Sequence, residues 1–123
     1  IEPIKGEFRQ TVGPASCKIL ALKESADHPQ LVGTSRHITQ GLIDVKAEQW
    51  GAADKTLSGK SEVVGDDPYE LRIALPVGEW KIAEVKTDCS DCEIRVVSEE
   101  PGTARVVIES PTNREIEWAV SFQ

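Results

Sequence analysis

The chain has no methionine, and its longest apolar runs fall far short of the 18 or so residues that a membrane-crossing helix needs. No membrane partner is therefore expected. A chain that begins at Ile1 with neither an initiator nor an apolar leader reads as a piece of the C-terminal part of a longer protein. Aromatic residues make up only 5% of it, too few for an extended sugar-stacking surface. The cysteines, Cys17, Cys89 and Cys92, are too few and too odd in number for a disulfide scaffold. They leave the compartment open, with a secreted or periplasmic one favoured. Basic side chains are outnumbered 14 to 21 by acidic ones, giving a formal charge of −7, and they are scattered rather than clustered. Nucleic acid is thereby excluded as an expected partner. At 123 residues the chain is expected to form one domain, 1–123, too short for a barrel enzyme.

What the sequence has in abundance is period two. Apolar residues alternate with polar ones in short runs, bounded every eight to twelve residues by Gly, Pro, Asp or Asn, as in antiparallel strands. In DPYELRIALP, Tyr69, Leu71, Ile73 and Leu75 share one face, and in REIEWAVSF so do Ile116, Trp118, Val120 and Phe122. Both faces are expected in the core. GEWKIAEVKTD, CEIRVVSEE and TARVVIESP read as further strands of a meander. Upstream, EFRQTV, SCKILALKE, QLVGTSRHIT, LIDVKAEQW and KTLSGKSEVV add about five more. The expected fold is an all-β, antiparallel two-sheet sandwich of about 8–10 strands.

The run HPQLVGTSRHITQG concentrates both histidines with Arg36, Ser35 and two threonines. Gln40-Gly41 suits a two-residue hairpin turn, and that register sets His37 opposite Asp44 and Leu31 opposite Trp50. One side of the hairpin would then carry Gly33, Ser35, His37, Asp44, Lys46, Glu48 and Trp50. Ser35, His37 and Asp44 name the residue types of a nucleophilic triad, but Ser35 and His37 would stand ~7 Å apart along a strand, with no oxyanion nest. No catalytic residue is assigned. The same side, through Leu31, Gly33, Ser35, His37, Asp44 and Trp50, is instead expected to be an interdomain contact, because small residues admit a second backbone and His37 with Asp44 offers polar anchoring.

TDCSDCE carries the CxxC spacing of zinc knuckles and redox motifs. A closed zinc site needs four ligands, and only Cys17 and two distant histidines remain, so no metal is expected. A redox CxxC usually opens a helix, whereas this one lies between strands. The stretch reads as a four-residue hairpin turn, in which a local Cys89–Cys92 disulfide is sterically possible and free thiols are the alternative.

The runs ASCKILALKESADHPQLVGTSRHITQGLIDV, TLSG, PYELRIALPVGEW and REIEWAVSF together resemble the C-terminal β-sandwich that follows the catalytic barrel in glycoside hydrolases of the α-galactosidase type. The resemblance implies a non-catalytic accessory domain, with both catalytic carboxylates in the barrel and none carried onto this chain. The partner it implies is the catalytic domain of the parent chain; carbohydrate is a second candidate partner, and no cofactor is expected. A stand-alone carbohydrate-binding module and a protein–protein interaction sandwich are the alternative functions. Of the three tryptophans only Trp50 falls on a polar side, and one ring makes a poor sugar platform.

Overall fold

The computed structural model describes residues 4–36 and 44–123. Eight strands, β1 (Gln30–Thr34), β2 (Val45–Gly51), β3 (Thr56–Val63), β4 (Tyr69–Ala74), β5 (Ile82–Thr87), β6 (Glu93–Glu100), β7 (Thr103–Glu109) and β8 (Arg114–Phe122), form two four-stranded antiparallel sheets. One sheet has the order β1-β4-β7-β6 and the other β2-β3-β8-β5, and the fold is an all-β sandwich.

β3, β4, β7 and β8 bury the face that their alternation marks, whereas β2, β5 and β6 hold no fully buried residue. Tyr69, Leu71 and Ile73 of β4 and Ala104, Val106 and Ile108 of β7 meet Leu57 and Val63 of β3 and Ile116, Trp118, Val120 and Phe122 of β8. Each large aliphatic side chain so buried contributes ~1.5–3 kcal/mol. Outward-facing Glu115 and Glu117 stay exposed, and Lys60 on the neighbouring strand lies 3.3 and 3.4 Å from them. On the outside of the other sheet Glu70 accepts from Arg72 and Arg105. Burial opposes ionisation of that carboxyl, but the two guanidinium groups outweigh it and hold Glu70 below the usual carboxylate range.

The core contains one polar chain. Tyr69 donates its only hydroxyl proton to Asp44, the Ser61 hydroxyl lies 3.0 Å from the phenol oxygen, and Trp118 Nε1 donates to Ser61 Oγ at 2.9 Å. Because the phenol proton is committed to Asp44, Ser61 donates to Tyr69. Burial first, and Asp44 second, push the phenol of Tyr69 well above its ordinary pKa of 10.0. The tryptophan fits because its partner across β3 is a glycine: a Cβ on Gly59 would come within 2.3 Å of Trp118 Cζ2. The indole occupies the space of the missing side chain.

Three expectations are corrected here. EFRQTV and SCKILALKE are not strands; residues 4–25 run without secondary structure and are exposed throughout. In SCKILALKE the apolar residues fall on both faces, Cys17, Ile19 and Ala21 on one and Leu20 and Leu22 on the other, so no single half-buried face is defined. The second half of the chain is not a meander. Only β6 and β7 form a hairpin there, closed by Pro101-Gly102 with Gly102 at positive φ, while β4→β5, β5→β6 and β7→β8 pass between the sheets. The turn carrying Cys89 and Cys92 is therefore a crossover, not a hairpin.

Candidate functional site

The hairpin register expected for HPQLVGTSRHITQG does not form among the described residues. β1 pairs with β4 and β2 pairs with β3, in different sheets. Leu31 consequently opposes Ile73, and Trp50 opposes Leu57. The six residues expected to make one contact surface are dispersed. Leu31 is fully buried in the core, Gly33 and Asp44 are buried, and Ser35 is exposed. Ser35 is occupied structurally: its hydroxyl accepts from the Glu70 amide at 2.9 Å and donates to the Pro68 carbonyl at 3.2 Å. His37 lies outside the described residues. The dispersal has two causes: the identity of a run's pairing partner is not encoded locally, and in these two runs the inward face is opposite to the one expected, since Leu31, Asp44 and Trp50, expected on the polar side, turn to the core while Ala47, expected on the apolar side, is exposed.

Trp50 is half-buried at one end of the sandwich, in an aromatic group. The His28 ring stacks on it with centroids 5.1 Å apart and planes 7° from parallel, Trp80 meets it edge-on at 6.1 Å, and Phe122 lies at 6.3 Å. Lys55 Nζ sits 5.9 Å from the centre of the Trp80 ring. One face of Trp50 is thus taken by His28, and the two indoles are crossed rather than coplanar. That geometry closes an end of the core and does not present two level rings to a sugar.

The outer face of the β2-β3-β8-β5 sheet carries a shallow open depression floored by Ala47, Ser58 and Ala119 and rimmed by Lys60, Lys86 and Glu117. It is open to solvent and holds no buried acid–base pair.

Cys89 and Cys92 form a disulfide with Cα atoms 5.4 Å apart. Together with Asp91 they place three potential ligand atoms within 4.8 Å of one another. A metal would need both thiolates free and a fourth ligand, and the Arg114 guanidinium already occupies the Asp91 carboxylate.

The feature that stands apart is the segment preceding β1. Phe8, Val12, Ile19, Leu20 and Leu22 are all exposed, Leu22 to 82%. The segment is tied to the sandwich at its far end. Lys23 Nζ donates to the Leu31 carbonyl at 2.9 Å and to both Glu48 oxygens at 2.9 and 3.0 Å, while Glu48 also accepts from the Leu31 amide. Glu48 of β2 thus joins the segment and β1 at the place where the two sheets' outer strands meet. Sequence reasoning took this segment for two strands of the core. In SCKILALKE the signal that could have separated it is the lack of a one-sided alternation, whereas in EFRQTV, where Phe8 and Val12 share a face, there is none.

No protein-family model, curated protein or solved structure matches the chain.

Proposed function

We propose that this chain is a non-catalytic accessory β-sandwich that works by packing against a neighbouring protein surface. The exposed apolar segment, residues 4–22, carries this reading. Burying a large apolar side chain is worth up to ~1.5–3 kcal/mol, and six such residues, Ile4, Phe8, Val12, Ile19, Leu20 and Leu22, stand 44–82% exposed along one short segment, which favours a covering partner. The anchor at Lys23, Glu48 and Leu31 holds the C-terminal end of that segment at a defined place on the sandwich, so a partner engaging it there would be held in a defined orientation. The resemblance to the sandwich of α-galactosidase-type glycoside hydrolases makes the catalytic barrel of such an enzyme the proposed neighbour, and the chain a stabilising companion to it. Contact through Leu31, Gly33 and Asp44 is withdrawn from the proposal, because all three are spent inside the domain.

Hydrogen exchange on residues 4–22, compared between this chain and the full-length product of its gene, tests the reading. Added protection confined to that segment supports it; equal exchange in both rejects it. Assay of the chain alone on aryl α- and β-galactosides is expected to give no turnover, since hydrolysis needs two carboxyl groups held ~5–10 Å apart across a sugar site. Turnover abolished by one Asp or Glu substitution would overturn the non-catalytic reading.

A further inference from the structure

β5 ends at Thr87 in one sheet and β6 begins at Glu93 in the other, and the disulfide lies in the short crossover between them. Its two sulfurs are not equivalent. Cys89 is 6% exposed and packs in the core, whereas Cys92 is half-buried, with exposed Ser90 and Asp91 leading to it. The surroundings of Cys89 are charged. Arg114, the first residue of β8, forks onto Asp91 with Nη1–Oδ1 2.9 Å and Nη2–Oδ2 3.2 Å, and the same Nη1 stands 3.4 Å from Cys89 Sγ. Asp91 Oδ1 is 3.3 Å from that sulfur.

A disulfide sulfur has no proton and is a weak acceptor, so neither contact does much in the oxidised form. Both matter if Cys89 leaves as a thiolate. A guanidinium at hydrogen-bond distance then stabilises the leaving group, the task that a helix N-terminus performs in helical CxxC sites. As a brace, moreover, this cross-link is a weak one: it closes a loop with a sequence separation of only 3, and the entropy removed from the unfolded chain is smallest for short loops.

We propose that Cys89–Cys92 is a thiol–disulfide exchange site, opened by a dithiol reductant that attacks Cys92 and expels Cys89 as a thiolate held by Arg114. The reductant's thiolate forms a bond to Cys92 Sγ, the Cys89–Cys92 bond breaks, and its electron pair stays on Cys89. The reductant's second thiolate then attacks its own sulfur in the mixed disulfide and expels Cys92, which takes up a proton. The chain gains two electrons and the dithiol becomes a disulfide. Reduction frees the crossover that links the sheets beside β8. Attack at Cys92 follows from access, and the direction of bond polarisation follows from Arg114.

The two charges next to Cys89 give the test its direction. Arg114 favours the thiolate and Asp91, both by its own charge and by pairing Arg114, disfavours it. The full chain carrying Cys17→Ser, which removes the exposed free thiol in residues 4–25, is reduced with excess dithiothreitol and quenched by alkylation. Arg114→Gln is expected to slow reduction about tenfold, Arg114→Lys to retain part of the rate, and Asp91→Asn to raise it several-fold, because a lower leaving-thiol pKa speeds exchange. Glutathione, a monothiol, is expected to be trapped on Cys92 in peptide maps. A cross-link that merely braces the turn would be loosened by losing either charge. Faster reduction of both Arg114→Gln and Asp91→Asn, no change in either, or glutathione found on Cys89 overturns the proposal.

Discussion

Trp118 and Gly59 show how one residue pair sets the depth of the core. The alternation in REIEWAVSF marks Trp118 as buried from sequence alone, and it is 2% exposed. Trp118→Ala is expected to lower stability by ~3–5 kcal/mol in denaturant titration, a large share of what a domain of this size has. Gly59→Ala is expected to cost ~1–3 kcal/mol in the same measurement, since the added methyl must displace an indole that has nowhere to go. Nothing in KTLSGKSEVV announced that glycine's role, because the group it accommodates is 59 residues away in sequence. The chain from Trp118 through Ser61 and Tyr69 to Asp44 was equally illegible. Each member is an ordinary residue until two sheets bring them together. Tyr69 predicts an alkaline signature. Its phenol titrates above 10.0 in the folded state and near 10.0 when unfolded, so the protonated form's contribution is complete below pH 10 and declines as pH rises past it. Tyr69→Phe should be less stable at neutral pH by ~1–3 kcal/mol, yet lose less further stability above pH 10 than the parent chain. Parallel melting-temperature curves for the two proteins over that range would contradict this.

At the scale of the element, short polar–apolar runs between turn residues located all eight strands, and the alternation also named the buried face in β3, β4, β7 and β8, where one side meets the core. Pairing was beyond reach. β1 and β2 are successive in the chain and the Gln40-Gly41 dipeptide invites a hairpin, but β1 finds Leu71 and Ile73 of β4, and β2 finds Leu57 of β3. Gln40-Gly41 lies outside the described residues, and no local signal names β4, further along the chain, as the partner of β1. The segment before β1 illustrates the opposite error, in which apolar content was read as core membership. Since Ile19, Leu20 and Leu22 are 45%, 55% and 82% exposed, replacing the three together with Ser is expected to move the unfolding midpoint by less than ~0.5 kcal/mol. The same variant should lose the hydrogen-exchange protection expected of that segment in the full-length gene product. A large loss of stability in the isolated chain would show instead that the segment belongs to this core.

For the whole molecule, the material that holds the sandwich together is apolar area, one buried polar chain and a single short cross-link. Treatment with a chelator is accordingly expected to leave the melting temperature unchanged, and stoichiometric zinc lost together with stability would count against that expectation. The sheet order also governs how the molecule comes into being. β8 lies between β3 and β5, hydrogen-bonded to both, although it is made after the other seven strands. A ribosome delivers the other seven strands first, and until residues 114–122 emerge the half of the core facing β4 and β7 lacks Ile116, Trp118, Val120 and Phe122. Folding of this sandwich during synthesis must therefore wait for β8, leaving β3 and β5 with unpaired edges that can recruit other chains. A nascent chain stalled after Ser110 should be digested by protease as readily as an unfolded one, and one released past Phe122 should resist. The waiting interval is where chaperones would find this protein.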